Sequence, residues 1–355
     1  MEKFKKLFPN KEGFIVFALY IILFVFQGVF ITASKTENGI YDYNTTLVVF
    51  LSELLKLFIS AALYTYKRGL IINCRKSVNL NKPHIFKAIS NNYNLLLQYF
   101  IPSLLYCFYN NLAFINLSHY DPTSYYILLQ FRVVLTAFIF QFLFKKKLAF
   151  IQWISLGILT LGCMLKNFDA ATITSKGDAD GIWSQIFNIY FVSINFQNFC
   201  SCLAGTYNEY LLKTKGSNVD IFLQNVFMYL DSVICNFFIL MCKGEVLTMF
   251  KDFQSLGDVF VILITVNSAI VGIVTSFFLK NLNSILKTYA SALELIITAV
   301  VCYILFHIVI TFYTIVSICL VVISVAMYFK NPVNNTNVES EQTRKDKKPL
   351  LDEDV

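Results

Sequence analysis

The sequence predicts an all-α membrane protein with ten transmembrane helices, arranged as two inverted five-helix repeats with both termini in the cytosol. Hydrophobic residues make up 57% of the 355-residue chain and charged residues only 14%, whereas a soluble domain has about 25% charged residues. Its apolar runs are long enough to cross about 30 Å of hydrocarbon as helices. The basic residues cluster on one side of these runs, as the positive-inside rule requires of a multi-span protein.

The apolar runs do not alternate apolar and polar residues as barrel strands do, so they are predicted to be helices. The first run is too long for the core of a signal peptide and is expected to stay as the first span. The predicted spans are 14–32, 45–66, 93–116, 122–144, 149–166, 183–209, 219–242, 259–280, 284–306 and 309–329.

The basic residues fix the predicted orientation. Of the 29 Lys and Arg residues, 21 fall in the N-terminus, the loops after even-numbered spans and the C-terminal tail, and five fall on the opposite side. This asymmetry places both termini in the cytosol. The predicted organisation is then an N-terminus, a first repeat, a linker on the non-cytosolic side, a second repeat and a disordered cytosolic tail: residues 1–13, 14–167, 168–182, 183–330 and 331–355.

A weak internal repeat supports the division into halves. Sliding the chain by 162 residues matches the pairs Thr136 and Thr298, Ala137 and Ala299, Leu143 and Leu305, and Phe144 and Phe306. Because each half holds an odd number of spans, the second copy is inverted relative to the first. Inverted repeats are typical of secondary carriers, whose substrate site lies near the membrane midplane.

Three cations, Lys56, Arg132 and Lys287, fall inside predicted spans. A cation at that depth costs roughly 2.5–3.5 kcal/mol even on lenient scales, so it usually lines a polar cavity or meets an anion. Tyr125 lies seven residues before Arg132, so the two are predicted to share a helical face. A guanidinium can bind phosphate oxygens through two hydrogen bonds. These residues predict a path for a negatively charged substrate, with an internal ion pair as the alternative.

Further polar residues in the spans are weaker candidates. The ninth span carries a polar stripe, Ser284, Lys287, Ser291 and Glu294, and the 162-residue offset puts Glu294 opposite Arg132. Glu294 could pair with Arg132, neutralise Lys287 or carry a coupled proton. Glu53 and Lys56 are helical neighbours expected to form an ion pair, either as a structural element or as a gate. The remaining candidates are Asn110, Asn111, Asn225, Tyr229 and Asp231.

Several kinds of site are missing from the sequence. The nine cysteines show no metal-ligand spacing, and we interpret them as small packing residues. There is no Gly-rich phosphate loop and no nucleophile triad, so we expect no metal, no cofactor and no enzymatic activity. The net charge of +7 comes from loops at the membrane ends and does not indicate nucleic-acid binding.

Four stretches of the chain resemble a known family. They are LSELLKLFIS at 51–60; NNLAF at 110–114 with DPTSYYILLQFRVVLTA at 121–137 and KKKLAFIQWISLGILTLG at 145–162; AGTYNEYLLK at 204–213; and SFFLKNLNSILKTYASALE at 276–294. Their order and spacing resemble the nucleotide-sugar transporters, in the branch that holds the CMP-sialic acid, UDP-galactose and UDP-N-acetylglucosamine transporters. These are ten-helix inverted-repeat carriers of the drug/metabolite transporter superfamily.

The resemblance implies exchange of a cytosolic nucleotide sugar for a lumenal nucleoside monophosphate across the Golgi membrane, with the endoplasmic reticulum as the alternative. The positions that match the family's substrate residues are Tyr125, Arg132, Lys287, Asn110, Asn111, Asn225, Tyr229, Glu53 and Lys56. Arg132 stands where the family usually has lysine. Asp231 and Glu294 stand where the family commonly has small residues, so the resemblance does not name the sugar.

We therefore expect a UDP-sugar, such as UDP-galactose or UDP-N-acetylglucosamine, to be exchanged by alternating access. Two alternatives stay open at this point. One is a carrier of another organic phosphate or nucleotide, and the other is a non-transporting scaffold of Golgi glycosyltransferases. The expected partners are the nucleotide sugar, the nucleoside monophosphate and the lipid bilayer, with homodimerisation and association with glycosyltransferases left open.

Overall fold

The computed structural model describes residues 11–34, 43, 45–74, 84–119, 125, 128–174, 189–244, 258–306 and 311–330. The predicted N-terminus before residue 11, the second half of the predicted linker and the predicted disordered tail lie outside the described residues. Within the described residues the chain is helical and contains no strand, which confirms the all-α class.

The described residues form ten helices of 13 residues or more, one for each predicted span. A short helix, Ile85–Asn91, precedes the third of them. The long helices are α1 Lys11–Ala33, α2 Thr45–Cys74, α3 Tyr93–His119, α4 Arg132–Phe144, α5 Phe150–Thr174, α6 Ile189–Tyr210, α7 Ile221–Lys243, α8 Val259–Asn281, α9 Ser284–Phe306 and α10 Phe312–Lys330.

Three of the described boundaries differ from the prediction by more than three residues. Helix α2 continues to Cys74, past the predicted end of the second span at 66. Helix α5 continues to Thr174, so the first residues of the predicted linker are helical; Ala170 and Ala171, both strong helix formers, lie in this extension.

The fourth span was predicted as one helix over 122–144. Tyr125, Leu128 and Leu129 are helical, but a turn at Gln130 and Phe131 interrupts the helix, and α4 begins at Arg132. Before it, Phe131 N–H donates to Leu128 O and Val133 N–H donates to Gln130 O, which is the tighter 3₁₀ pattern.

In the part of the chain that the structure describes, six helices are long and apolar enough to cross a membrane: α1, α2, α7, α8, α9 and α10. Helix α4 and the apolar part of α5, Phe150–Leu165, are shorter apolar helices. Helices α3 and α6 hold more amides, hydroxyls and tyrosines, which lowers their hydropathy. Large apolar side chains face outward, for example Phe58, Phe142 and Phe150, at 67%, 83% and 79% exposure, as contact with lipid requires.

The helices pack in a regular set of pairs. The most extensive are α5 with α10, α3 with α6, α1 with α8, α2 with α7, α3 with α7, α4 with α6, α2 with α8 and α1 with α9. The main buried cluster includes residues of α1, α4, α5, α8, α9 and α10, among them Tyr20, Phe278, Tyr289 and Tyr328.

Helices α5 and α10 pack closely and run antiparallel. Ser155 Oγ donates to Ser324 O at 3.0 Å, and Ser324 Oγ donates to Ser155 O at 2.6 Å. Further along, Ser317 Oγ donates to Gly162 O at 2.6 Å. A Cβ on Gly162 would lie 3.1 Å from Leu320 Cβ, so glycine permits this close approach.

One end of the bundle is tightly connected. There Lys67 Nζ of α2 lies 3.0 Å from an Asp220 carboxylate oxygen at the start of α7, and the rings of Phe144 and Tyr210 meet at 6.2 Å. Helix α1 begins and α10 ends at this end of the bundle, which we call the terminal end. At the other end, Val48, Val261 and Ile264 form a small apolar cluster with Tyr43.

Candidate functional site

The two predicted site cations of the fourth and ninth spans line one polar cavity of about 110 Å³. Arg132 opens α4 directly after the 3₁₀ turns, and Lys287 lies one turn into α9. We call this the cation cavity. Its other lining residues are Gln130, Val133, Thr136, Cys163, Ser201, Cys202, Gly205, Thr206, Ser284, Thr288, Ser291, Ala292 and Leu295.

Apart from the two cations, the polar side chains that line the cation cavity carry hydroxyls, thiols and one amide. Both cationic side chains are half-buried. The ion pairs of the described residues include Lys56 with Glu53, Lys67 with Asp220 and Lys213 with Glu209. Neither Arg132 nor Lys287 takes part in these three pairs. Two like charges close together in an apolar bundle repel each other, so the cavity is suited to an anion.

Local backbone contacts fix the position of Arg132. Cys202 Sγ of α6 donates to the Arg132 carbonyl at 3.1 Å, and Thr136 Oγ1 donates to the same carbonyl at 2.7 Å. This carbonyl lies at the irregular start of α4, where the helical ladder is interrupted. The contacts orient the first turn of α4 and therefore the guanidinium.

A second cavity, of about 340 Å³, contains four other predicted residues: Glu53, Lys56, Asn110 and Tyr229. Lys56 Nζ donates to Glu53 Oε1 at 2.7 Å and lies 5.5 Å from the centroid of the Tyr229 ring. We call this the Lys56 cavity. It is otherwise lined largely by hydroxyls and amides, which can form hydrogen bonds with neutral polar groups of a ligand.

A third cavity, of about 300 Å³, shares Glu53 and Lys56 with the Lys56 cavity. It continues past Val48 and Ile264 to Ile31 and Tyr43, away from the terminal end. We call it the outer cavity. The Glu53–Lys56 ion pair therefore lies where the two spaces meet.

The structure does not bring every predicted residue to these cavities. Tyr125 is buried, and its hydroxyl accepts from Gln197 Nε2 at 2.8 Å; the turns before Arg132 separate it from α4. Asn111 donates to Cys107 O at 2.9 Å. Asn225 and Asp231 are buried in α7, where Asn225 Nδ2 and Asp231 Oδ2 have no hydrogen-bond partner among the described residues.

Glu294 lies on α9 between Ala292 and Leu295, which line the cation cavity, but it is not itself one of the lining residues. It is half-buried, and Tyr20 of α1 lies near both Glu294 and Arg132. The Tyr20 hydroxyl is 3.3 Å from Ser291 Oγ. Glu294 therefore lies beside the cation cavity and close to Tyr20.

Sequence reasoning missed several residues around the site. Tyr20 contacts the site from α1, and Tyr106 lines the Lys56 cavity with its hydroxyl 3.5 Å from a Cβ position on Gly205 in the cation cavity. Cys202 lies beside Arg132. Tyrosines and cysteines are abundant in this chain, so neither residue type marked these positions.

Comparisons with known proteins show which family the whole chain resembles. The family model described as nucleotide-sugar transporter matches residues 11–329. The UDP-galactose transporter senju of Drosophila melanogaster is 45% identical over 99% of this chain and 97% of its own length. CMP-sialic acid transporter 1 of Oryza sativa subsp. japonica is 30% identical over 91% of this chain and 95% of its own length.

A solved crystal structure is similar in fold. It covers 91% of this chain and 97% of its own chain, with a TM-score of 0.60 at 11% identity. At that identity the likeness supports the helical fold alone.

Gly272 is required for the position of Lys56, and this can be tested by stability. A Cβ at residue 272 would lie 2.7 Å from Lys56 Cε and 3.0 Å from the Tyr229 hydroxyl. We expect Gly272→Ala to lower the free energy of unfolding by about 1–3 kcal/mol, as overpacking does. Thermal unfolding of the purified protein in detergent measures the change.

Gly157→Ala is the matched control, because a Cβ there has no atom within 4 Å. In a Lys56→Ala background the cost of Gly272→Ala should shrink, since the two side chains then no longer compete for space. Equal losses with and without the Lys56 side chain would refute the assigned contact.

Proposed function

The chain belongs to the nucleotide-sugar transporter family, and we propose that it exchanges cytosolic UDP-galactose for lumenal UMP across the Golgi membrane by alternating access. The observation that carries this proposal is the meeting of Arg132 and Lys287 in one cavity lined mainly by hydroxyls, thiols and an amide. A nucleotide sugar has a negatively charged diphosphate, and its monophosphate product is also an anion. Both ligands fit the same cation pair.

The roles of the two cations differ. Arg132 offers a planar guanidinium that can bind two phosphate oxygens at once, and Lys287 offers a compact ammonium that acts as a point charge. Ser284 and Ser291 lie on the same helix as Lys287 and line the same cavity. We assign the phosphates to this cavity.

We assign the neutral parts of the substrate to the Lys56 cavity. Its hydroxyl and amide groups, including Asn110 and Tyr229, can read a sugar or a base by hydrogen bonds. We propose that five further residues support this site from outside the cavity lining: Tyr125, Asn111, Asn225, Asp231 and Glu294. The name of the 45% identical relative favours UDP-galactose, and the CMP-sialic acid transporters at lower identity make a CMP-sugar the competing substrate.

The helix packing supports the proposed inverted repeat. In the proposed repeat, α1 corresponds to α6, α2 to α7, and so on up to α5 and α10. When every helix is replaced by its counterpart, the set of extensively packed pairs stays the same. For example, α3 with α6 becomes α8 with α1, and α4 with α6 becomes α9 with α1. The equivalent helices α2 and α7 run antiparallel, because Lys67 near the end of α2 meets Asp220 at the start of α7. The same holds for α5 and α10.

Hydrogen bonds between α5 and α10 repeat with the offset seen in the sequence. An offset of 162 residues moves Ser155 onto Ser317 and Gly162 onto Ser324. The bond from Ser155 Oγ to Ser324 O then corresponds to the bond from Ser317 Oγ to Gly162 O. This agreement supports two copies related by an axis that passes between α5 and α10.

The orientation of the spans follows from the basic residues, which are concentrated at the terminal end. The terminal end is then cytosolic and the outer cavity faces the lumen. In this arrangement the Lys56 cavity is approached from the lumenal side. Alternating access requires that side to close while the terminal end opens.

Reconstituted protein tests the activity directly. Proteoliposomes preloaded with UMP should accumulate labelled UDP-galactose, because the internal anion must leave for the external one to enter. Vesicles preloaded with CMP should take up much less. Absence of exchange with every UDP-sugar and CMP-sugar would reject the proposal and favour the scaffold alternative. Exchange of other organic phosphates instead would favour the alternative of a carrier for another organic phosphate or nucleotide.

Charge removal in the cation cavity should abolish exchange. We expect Arg132→Ala and Lys287→Ala each to reduce uptake by at least about 100-fold, because each removes one to two charged hydrogen bonds of about 1.5–3 kcal/mol. Lys147→Ala is the matched control, since Lys147 is exposed at the end of α4. Near-normal uptake by either cavity variant, at equal expression, would remove that residue from the site.

Topology has its own test. Epitope tags at the two termini should both be digested when protease is added outside sealed Golgi vesicles, whose outer face is cytosolic. A tag placed in the loop between α7 and α8 should be protected until detergent is added. Protection of either terminal tag would contradict an even number of spans with cytosolic termini.

A further inference from the structure

A buried carboxylate closes the terminal end of the bundle. Glu209, near the end of α6, is only 1% exposed. Its Oε1 accepts from Lys213 Nζ at 2.7 Å, and its Oε2 accepts from the Ser284 N–H at 2.7 Å and from the Ser284 hydroxyl. Lys213 Nζ also donates to Leu282 O. A carboxylate this deeply buried is stable only with such partners.

These contacts join two parts of the chain that are far apart in sequence. Glu209 and Lys213 belong to the end of α6 and the π-helical turn Leu211–Lys215 that follows it. Leu282 and Ser284 belong to the buried turn between α8 and α9. The Glu209 carboxylate accepts a hydrogen bond from the Ser284 N–H, at the start of α9. The N–H groups of the first turn of a helix have no partner within that helix, and they lie at the positive end of its dipole.

The cluster also touches the substrate site. Ser284 lines the cation cavity and is bonded to Glu209 at the same time, and Lys287 follows one turn later on α9. The outer cavity lies on the opposite side of the molecule from these contacts. The Glu209 cluster therefore stands between the cation cavity and the terminal end.

We propose that Glu209, with Lys213 and Ser284, is a latch that holds the cytosolic end closed and positions Lys287, and that it must release for the cavity to open to the cytosol. This inference rests on the proposed transport function. Opening the terminal end separates the end of α6 from the start of α9, and the bonds from Ser284 to Glu209 and from Lys213 to Leu282 O cross that boundary. We assign the hinge to the π-helical turn Leu211–Lys215 beside it, because π-helical turns are rare and occur frequently at functional sites.

A native thiol can report the opening. Cys202 lines the cation cavity and is 5% exposed. A membrane-impermeant maleimide added to the cytosolic face of sealed vesicles should label it slowly in the wild-type protein. The extent of labelling is read from the Cys202 peptide by mass spectrometry.

Glu209→Gln and Lys213→Met should each increase the Cys202 labelling rate about tenfold, because a charged hydrogen bond made in only one conformation is lost. Lys147→Met, an exposed lysine substitution, should label like the wild type. The latch variants should also lower the KM for cytosolic substrate relative to the KM for lumenal substrate by a similar factor. A merely structural role would lower the amount of folded protein without changing this ratio.

Two latch variants are used so that the test does not depend on one of them folding. If Glu209→Gln fails to fold, the Cys202 labelling rate and the KM ratio are measured on folded Lys213→Met protein. Unchanged Cys202 labelling together with an unchanged KM ratio would overturn the latch. Failure of UDP-galactose exchange would instead reject the proposed substrate and leave the labelling contrast intact, so the two hypotheses can fail separately.

Discussion

The fold depends on how a mostly apolar bundle accommodates its few buried charges. Two of the cations are neutralised in place: Lys56 by Glu53, and Lys213 by Glu209 together with main-chain groups. Arg132 and Lys287 instead share one cavity lined mainly by hydroxyls, thiols and an amide. In the proposed function, a bound anion offsets the cost of holding two cations in this environment. Helices α4, α6 and α9 are arranged around the cavity that holds these two cations.

Much of the fold was predictable from the sequence because hydropathy and basic residues report the spans directly. The bounds of α3, α8 and α9 agree with the predicted spans to within three residues. The break before Arg132 was not predictable. Its 3₁₀ bonds lie beside the Arg132 carbonyl, to which Cys202, 70 residues away, donates, and a tertiary contact of this kind leaves no periodic signal. Tyr125 lies before the break, and its hydroxyl accepts from Gln197.

The candidate site was partly predictable for a similar reason. Charged residues inside spans are rare, so Arg132, Lys287 and the Glu53–Lys56 pair were conspicuous. Glu209 was not, since an acid four residues before a lysine at a helix end suggests a surface ion pair. Only the packing of the α8–α9 turn against α6 buries it to 1% exposure. The neutral residues Tyr20, Tyr106 and Cys202 were hidden among many residues of the same type.

The proposed exchange follows from the electrostatics of the cavity. To switch sides, the protein must pass through a conformation in which both ends are closed and water is excluded. With an empty cavity, Arg132 and Lys287 would then repel each other in a low-dielectric space, which makes that conformation unfavourable. A bound phosphate neutralises both cations and stabilises the closed conformation. A nucleotide sugar and a nucleoside monophosphate both supply this phosphate. Either ligand therefore lets the binding site change from one side of the membrane to the other, whereas the empty carrier makes this change slowly. In the proposed mechanism, the cation pair itself therefore makes the carrier an exchanger.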